Sequence, residues 1–301
     1  MAGNDIDIMA AVQALSGLHA GESTAVAEAE LIAQMIAAGA ARCERSSENG
    51  VTRPRATDLF IDTVGLPEIQ AEQLNRDTLA AGILHHGALL VRQLYSGEVL
   101  TRLQHLASTR EEADRADNLP LGCTPHTFFQ LLNIYQQCGL LDAVREYLDD
   151  DPVIFAQRSK LRQHRAKRDK YAAIPWHQDV NFFGSKSYAV NCWAAVTPCG
   201  EDNPGLNIIP VRTEERHGWD GDDGIAPLDY GRSMTPEELD DFRGKQPIAQ
   251  PVLQPGDALL FDEMTVHQTA LKRWARAEQV VTISWFFRAS GFPAWGTPLG
   301  I

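Results

Sequence analysis

The sequence predicts a mainly β fold with flanking helices, its strands closing as a barrel or jelly roll. Three observations carry this. After Asp149-Asp150-Asp151-Pro152 the helix-spaced apolar pattern gives way to short runs rich in β-branched and aromatic residues. These runs, residues 153–155, 159–164, 188–196, 206–209, 258–261 and 280–287, are separated by turns containing Gly and Pro, as in closed structures of many short strands. Two of the turns, Asn203-Pro204-Gly205 and Gln254-Pro255-Gly256-Asp257, lead directly into apolar strands and redirect the chain sharply.

Ahead of the strands the elements are mostly helical. Residues 22–44, ESTAVAEAELIAQMIAAGAARCE, are rich in good helix formers and are followed by the breaker-rich SSENGVTRPRAT. Residues 71–85 read as a second helix closed by Gly87, and Ala88 to Leu94 as a strand. Ser96 suits the N-cap of a helix running through Glu98, Leu100 and Leu103. Residues 127–147 read as one helix, stopped by the acidic run and Pro152. The expected organisation is an N-terminal helical extension, 1–56, and a β domain, 57–301. The extension suits packing or homodimerisation, with a lid as the alternative, and the long connection 211–250 is placed to cover one mouth of the barrel.

Composition narrows the function. A chain of 301 residues with 44% hydrophobic content can bury a sizeable core. Its 27 basic and 40 acidic side chains give a formal charge of -13, which argues against nucleic acid as a partner. Five cysteines (Cys43, Cys123, Cys138, Cys192, Cys199) show no CxxC spacing and an odd count, so free thiols are expected. The start, MAGNDIDIMAAVQALSG, does not read as a secretory signal, and no apolar run reaches the roughly 20 residues that span a bilayer. A cytoplasmic protein without a membrane partner is expected.

Chemistry concentrates in two segments, Trp176-His177-Gln178-Asp179 and Phe261-Asp262-Glu263-Met264-Thr265-Val266-His267. On an extended strand His177 and Asp179 point to one face and reach a single metal ion together. A second strand has to bring His267. Two imidazoles and a carboxylate on one side of an octahedron are the donor set of non-haem Fe(II) oxygenases, leaving positions for substrate and dioxygen. Each residue also has an ordinary reading, as a core or surface histidine or an Asp in a turn.

The flanking motifs add a resemblance. Asn203-Pro204-Gly205-Leu206-Asn207-Ile208-Ile209-Pro210 resembles the Asn-Gly-x-Leu-x-x-x-Pro element of the phytanoyl-CoA dioxygenase-like family of Fe(II)/2-oxoglutarate oxygenases. Pro255-Gly256-Asp257-Ala258-Leu259-Leu260-Phe261 resembles the Pro-Gly-Asp-x-x-x-Phe element that precedes its distal histidine. The resemblance covers roughly the last half of the chain. It implies a double-stranded β-helix (a cupin-like jelly roll), Fe(II) held by His177, Asp179 and His267, and 2-oxoglutarate as cosubstrate with dioxygen. The implied reaction is hydroxylation or another oxidation of a C–H bond. Related iron halogenases carry a small residue where this chain has Asp179, so the carboxylate favours oxidation over halogenation.

The same resemblance implies a buried arginine for the C5 carboxylate of 2-oxoglutarate, since its planar fork donates two charge-assisted hydrogen bonds. Here the chain departs from the pattern, because the corresponding position is Glu278. Arg273, Arg276 and Arg288 are the candidates, and Arg276 is preferred because it shares strand parity with position 278. Asn191 and Trp193 alternate on one strand toward the cofactor, Thr269 follows His267 by two, and Trp176 and Phe182 flank the metal pair as candidate walls. The run QRSKLRQHRAKRDKY, residues 157–171, reads either as a solvated edge strand or as an entrance for an anionic small-molecule substrate. The competing functions are a cupin-type metalloenzyme that uses the triad without 2-oxoglutarate, motivated by Glu278, and a non-catalytic sensor of the same fold.

Overall fold

The computed structural model describes residues 7–16, 25–46, 53–109, 124–164, 174–184, 186–200, 203–218, 233–270, 279–293 and 296–301. Two N-terminal helices, α1 (Ile8–Ser16) and α2 (Ala25–Ser46), precede the short strand β1 (Glu68–Gln70), helix α3 (Arg76–His86), strand β2 (Ala88–Arg92) and helix α4 (Gly97–Thr109). Helices α5 (Pro125–Gln137) and α6 (Leu140–Leu148) then lead into strands β3 (Val153–Phe155) and β4 (Lys160–His164). The rest is the single turn α7 (Val180–Phe183), β5 (Ala189–Ala195), β6 (Gly205–Ile208), α8 (Pro236–Arg243), β7 (Ala258–Asp262), β8 (His267–Ala270), β9 (Gln279–Phe287) and β10 (Pro298–Gly300).

The strands form the two sheets of a jelly roll. The larger has the order β1-β2-β7-β5-β9-β3-β10, with β4 also paired to β9, and the smaller is β6-β8. Pairing is antiparallel throughout except for β1 with β2. Both faces of the large sheet are covered, which is why its strands read as continuous apolar runs without polar alternation. On β5, Val190, Cys192 and Ala194 join the core formed with the helices. Its intervening Trp193 and Ala195 join Phe261, Val281 and Trp285 on the inner face, toward the small sheet.

Local chemistry explains where the structure departs from the sequence expectations. The helix expected over 71–85 starts at Arg76, because Asn75 caps it. The Asn75 Oδ1 accepts from the backbone N–H groups of Asp77 (2.9 Å) and Thr78 (3.1 Å), and the Thr78 hydroxyl accepts from the Asn75 N–H. The single helix expected over 127–147 is two, broken where Gly139 adopts a left-handed φ of 75°. Helix α1 was not foreseen, and neither were the three-residue strands β1 and β10, which are too short to show a period. Among the described residues Cys43, Cys138, Cys192 and Cys199 are free thiols, and no helix is long and apolar enough to cross a membrane.

Helix α2 lies against β10 so closely that only glycine fits at the contact. A Cβ on Gly39 would stand 2.4 Å from the Pro298 carbonyl oxygen. The Arg42 guanidinium extends the contact, donating to the carbonyls of Pro152 (3.1 Å) and Ile301 (3.0 Å). In a free helix Gly→Ala would stabilise by about 1 kcal/mol. Here the obstacle is backbone, which cannot rotate away, and overpacking costs about 1–3 kcal/mol. Gly39→Ala is therefore expected to lower the thermal unfolding midpoint; a raised midpoint would show that α2 does not need this approach.

Candidate metal centre

The site is built where the small sheet gains one extra pair of residues. His267 opens β8 and pairs with Ile208 of β6. On its other side it forms an isolated bridge with His177, in which each backbone N–H donates to the other's carbonyl at 3.0 Å. The two imidazoles stand 4.3 Å apart between centroids, at 50°. The Nδ1–H of each ring donates to the carbonyl two residues earlier, Pro175 for His177 (2.7 Å) and Thr265 for His267 (2.9 Å). That fixes the tautomer and leaves both Nε2 lone pairs directed at the same point.

Asp179 reaches that point by a route the sequence reading had wrong. It is not on an extended strand with His177: its φ of -68° and ψ of -20° are helical, and it opens α7. The chain turns there because the Val180 N–H is taken by the Glu263 carbonyl (2.8 Å) and the Phe182 and Phe183 N–H groups by the Asp179 carbonyl (2.9 and 3.1 Å). The carboxylate then lies 3.7 Å from His177 Nε2 and 3.4 Å from His267 Nε2. All three donor atoms fall within 4.8 Å of one another, wider than the roughly 3 Å spacing of adjacent ligands around one ion with bonds near 2.1 Å, so the side chains would draw inward on a bound ion.

Protonation states suit a cation. Burial, together with nearby His177, pushes His267 down to about 4 against the pull of Asp179, so its imidazole is neutral near pH 7. Burial alone would raise the Asp179 carboxyl, but His267, His177 and the charge of Arg158 outweigh it and hold it below the usual carboxylate range. Two imidazole nitrogens and one carboxylate, all facing inward, fit a divalent ion that keeps open coordination positions.

Buried polar groups hold this geometry. Gln178, between the two proposed ligands, is fully buried. Its amide donates to the carbonyls of Glu215 (3.1 Å) and Met264 (2.8 Å) and accepts from the His217 N–H (2.7 Å). Asn181 donates to the His217 carbonyl (2.9 Å) and accepts from Arg216 Nε (2.7 Å). The turn before His267 is fixed from the other side. Asp262 accepts from Met264 N–H (3.0 Å), Arg212 Nε (2.7 Å) and Arg53 (3.2 Å). Glu263 accepts from Arg53 and from the Ala189 N–H (2.9 Å). Burial pushes the Glu263 carboxyl upward, opposed by Arg53 and reinforced by Asp262.

A cavity of about 300 Å³ opens beside the triad, between the inner faces of the two sheets. Phe182, Asn191, Trp193 and Thr269 all line it. The Asn191 Oδ1 has no partner among the described residues, so that amide is available to a ligand. The Thr269 hydroxyl accepts from the Ile174 N–H (3.2 Å). Trp176 lies elsewhere, packed against Ile209, Met234 and Val266, because the bridge at His177 turns its neighbour away. Arg288 does not line the cavity; its Nε is 3.9 Å from Asp150. Arg273, Arg276 and Glu278 lie outside the described residues, as do 165–173 of the basic run. Of the rest of that run, which reads either as an edge strand or as an entrance, Arg158, Lys160 and Arg162 line the cavity, and among the described strands β4 pairs with β9 alone. The period-two spacing from Arg158 was the available signal, whereas Gln178 and Asn181 gave none.

The family model described as "Phytanoyl-CoA dioxygenase (PhyH)" matches residues 83–273, more than half of the chain. No curated protein matches. Among solved structures, EctD from S. alaskensis with bound Fe is similar at 17% identity and a TM-score of 0.53, covering 83% of this chain and 87% of its own. The carbocyclase SnoK from nogalamycin biosynthesis is similar at 13% identity and a TM-score of 0.51, covering 74% and 87%. The epimerase SnoN, in complex with Fe3+, alpha ketoglutarate and nogalamycin RO, is similar at 14% identity and a TM-score of 0.50, covering 69% and 82%. These likenesses show the fold.

Replacing Gln178 with Ala strands two carbonyls and an N–H in the interior, at about 1–3 kcal/mol for each group left unsatisfied. Gln178→Ala is expected to lower stability and, by loosening the turn between His177 and Asp179, to weaken Fe(II) binding about 10- to 100-fold. Unchanged iron affinity in a metal titration would show that Gln178 only fills space.

Proposed function

The chain belongs to the phytanoyl-CoA dioxygenase family, and we propose that it is an Fe(II)- and 2-oxoglutarate-dependent dioxygenase hydroxylating an unactivated C–H bond of a small, anionic organic substrate. The observation that carries this reading is the convergence of His177, Asp179 and His267 beside one cavity. His177 and His267 would hold the iron through Nε2 and Asp179 through its carboxylate. When bound, iron and 2-oxoglutarate supply an oxidant made from dioxygen while the cosubstrate loses carbon dioxide and becomes succinate. EctD and SnoN, two similar proteins whose structures hold iron, support this choice of metal.

The chain's own residues do the rest. Phe182, Phe183, Phe261 and Trp285 surround the triad with apolar surface, which keeps water from the reacting carbon and strengthens the electrostatics around it. Arg158 faces the same space and its charge reaches Asp179, which favours a substrate with a carboxylate or phosphate near the oxidised carbon. Asn191 offers an amide to orient whatever binds beside it. Asp179 would supply a carboxylate where related iron halogenases carry a small residue, so this reading favours hydroxylation over halogenation.

The test is an anaerobic titration of 2-oxoglutarate into the Fe(II)-loaded protein, followed by the visible charge-transfer band of a chelated 2-oxo acid. A saturable band is expected in the parent and none in His177→Ala; iron binding without a band would turn the assignment to a metalloenzyme independent of 2-oxoglutarate. Under air, Asp179→Ala is expected to abolish conversion of organic acids to products one oxygen heavier, read by mass spectrometry. Full retention of that conversion would remove Asp179 from the ligand set.

A further inference from the structure

We propose that the distal carboxylate of 2-oxoglutarate is held by strand β4, through Lys160 and Arg162, in place of an arginine near the start of β9. This rests on the iron and 2-oxoglutarate reading above. The argument begins with the layers of the inner face. His267 packs on Phe261, with ring centroids 4.8 Å apart. Phe261 pairs with Asn191, and Asn191 with Trp285, so these side chains form one layer beside the metal donors.

Two residues along every strand, in the same direction, lies the next layer. Thr269 on β8 pairs with Leu206 on β6. Across the cavity Trp193 pairs with Ile283, and Ile283 with Lys160. Two residues further come Val281 and, opposite it, Arg162. Each layer advances about 7 Å along the strands. A five-carbon diacid chelating iron at the first layer places its far carboxylate near the second. Lys160 belongs to that layer and Arg162 to the next, both line the cavity, and the length of an arginine side chain lets Arg162 reach back by one layer. The Thr269 hydroxyl, which accepts from Ile174 N–H, keeps its own hydrogen to donate at this level.

Charge and parity agree. Among the described residues lining the cavity, Asp179 is the sole carboxylate, while all three cations, Arg158, Lys160 and Arg162, come from β4 and the turn before it. In a chain of net charge -13, this is a local field suited to a dianion. Strand β9 turns Gln279, Ile283 and Trp285 toward the cavity, the odd-numbered set. Gln279 is neutral, and its amide donates to the Pro204 carbonyl at 2.6 Å. The parity on which Arg276 was preferred is the even one, opposite to the cavity-facing set of the described strand. The guanidinium of Arg162 provides a planar fork for a carboxylate, and Lys160 a compact second charge.

The experiment compares 2-oxoglutarate with 2-oxopentanoate, which keeps the chelating end and carries a methyl group in place of the distal carboxylate. Both are titrated anaerobically into the Fe(II)-loaded protein, with the charge-transfer band and the fluorescence of the cavity tryptophans as readouts. The parent should prefer 2-oxoglutarate strongly. Lys160→Gln and Arg162→Gln should each weaken 2-oxoglutarate about 10- to 100-fold, and together they should erase the preference. Binding of 2-oxopentanoate should stay unchanged, which also reports an intact fold and iron site. A preference that survives both substitutions overturns the inference, as does one lost in Arg276→Gln but kept in Arg162→Gln. A parent that shows no band with either acid removes the cosubstrate reading and this inference with it.

Discussion

The whole site depends on one reciprocal pair of backbone hydrogen bonds, the bridge between His177 and His267. Backbone pairing sets the separation of two strands far more narrowly than side-chain packing can. Because the paired residues are themselves the two imidazole donors, the spacing of the donors is inherited from sheet geometry. Much of the surrounding polar structure serves to keep this pair in register. The turn after β7 is pinned by Asp262 and Glu263, two carboxylates with no exposure, against Arg53 and Arg212. Such buried ion pairs contribute little net stability, since desolvation offsets their attraction. Their effect is to make any other path for the chain costly, because a displaced turn would leave charges buried alone.

The cavity has the opposite character from the network around it. One face of the large sheet is sealed by helices, and the other offers aromatic rings to the space beside the metal donors. On the proposed reading, an oxidant formed there would be enclosed by these rings and the bound substrate. The metal donors therefore do not decide the outcome of the reaction, and similar folds include an epimerase and a carbocyclase. On the proposed reading, what would decide it is which carbon the walls hold nearest the iron, and Arg158, Asn191 and Phe182 are among those walls.

Legibility from the sequence followed the length scale of each signal. The jelly roll was readable because its longer strands, such as β5 and β9, are mostly apolar runs of strand length. The three residues brought together beside the cavity were readable because their side chains have few uses so well matched to a metal. The local path was not: His177 and Asp179 suggested a strand by spacing alone, and the helical turn arises from a contact with Glu263 that is distant in sequence. The split at Gly139 was visible as a glycine but not as a left-handed one. Gln178 and Asn181 are ordinary polar residues until their surroundings are known, and the cations of β4 suit a solvated edge as well as an entrance until their place beside the cavity is known.

The way Gln178 and Asn181 hold the neighbouring connection has a consequence for how such a protein diversifies. Gln178 fastens residues 215 and 217 through their main-chain carbonyl and N–H, and Asn181 fastens residue 217 in the same manner. A hydrogen bond to the main chain is indifferent to the side chain it passes. Apart from Arg216, whose side chain also reaches Asn181, the sequence here can therefore drift, by natural selection or in a mutant library, while its anchorage to the turn carrying His177 and Asp179 persists. Changes in this segment can thus accumulate without first disturbing the turn that carries His177 and Asp179, which separates variation in the connection from preservation of the triad.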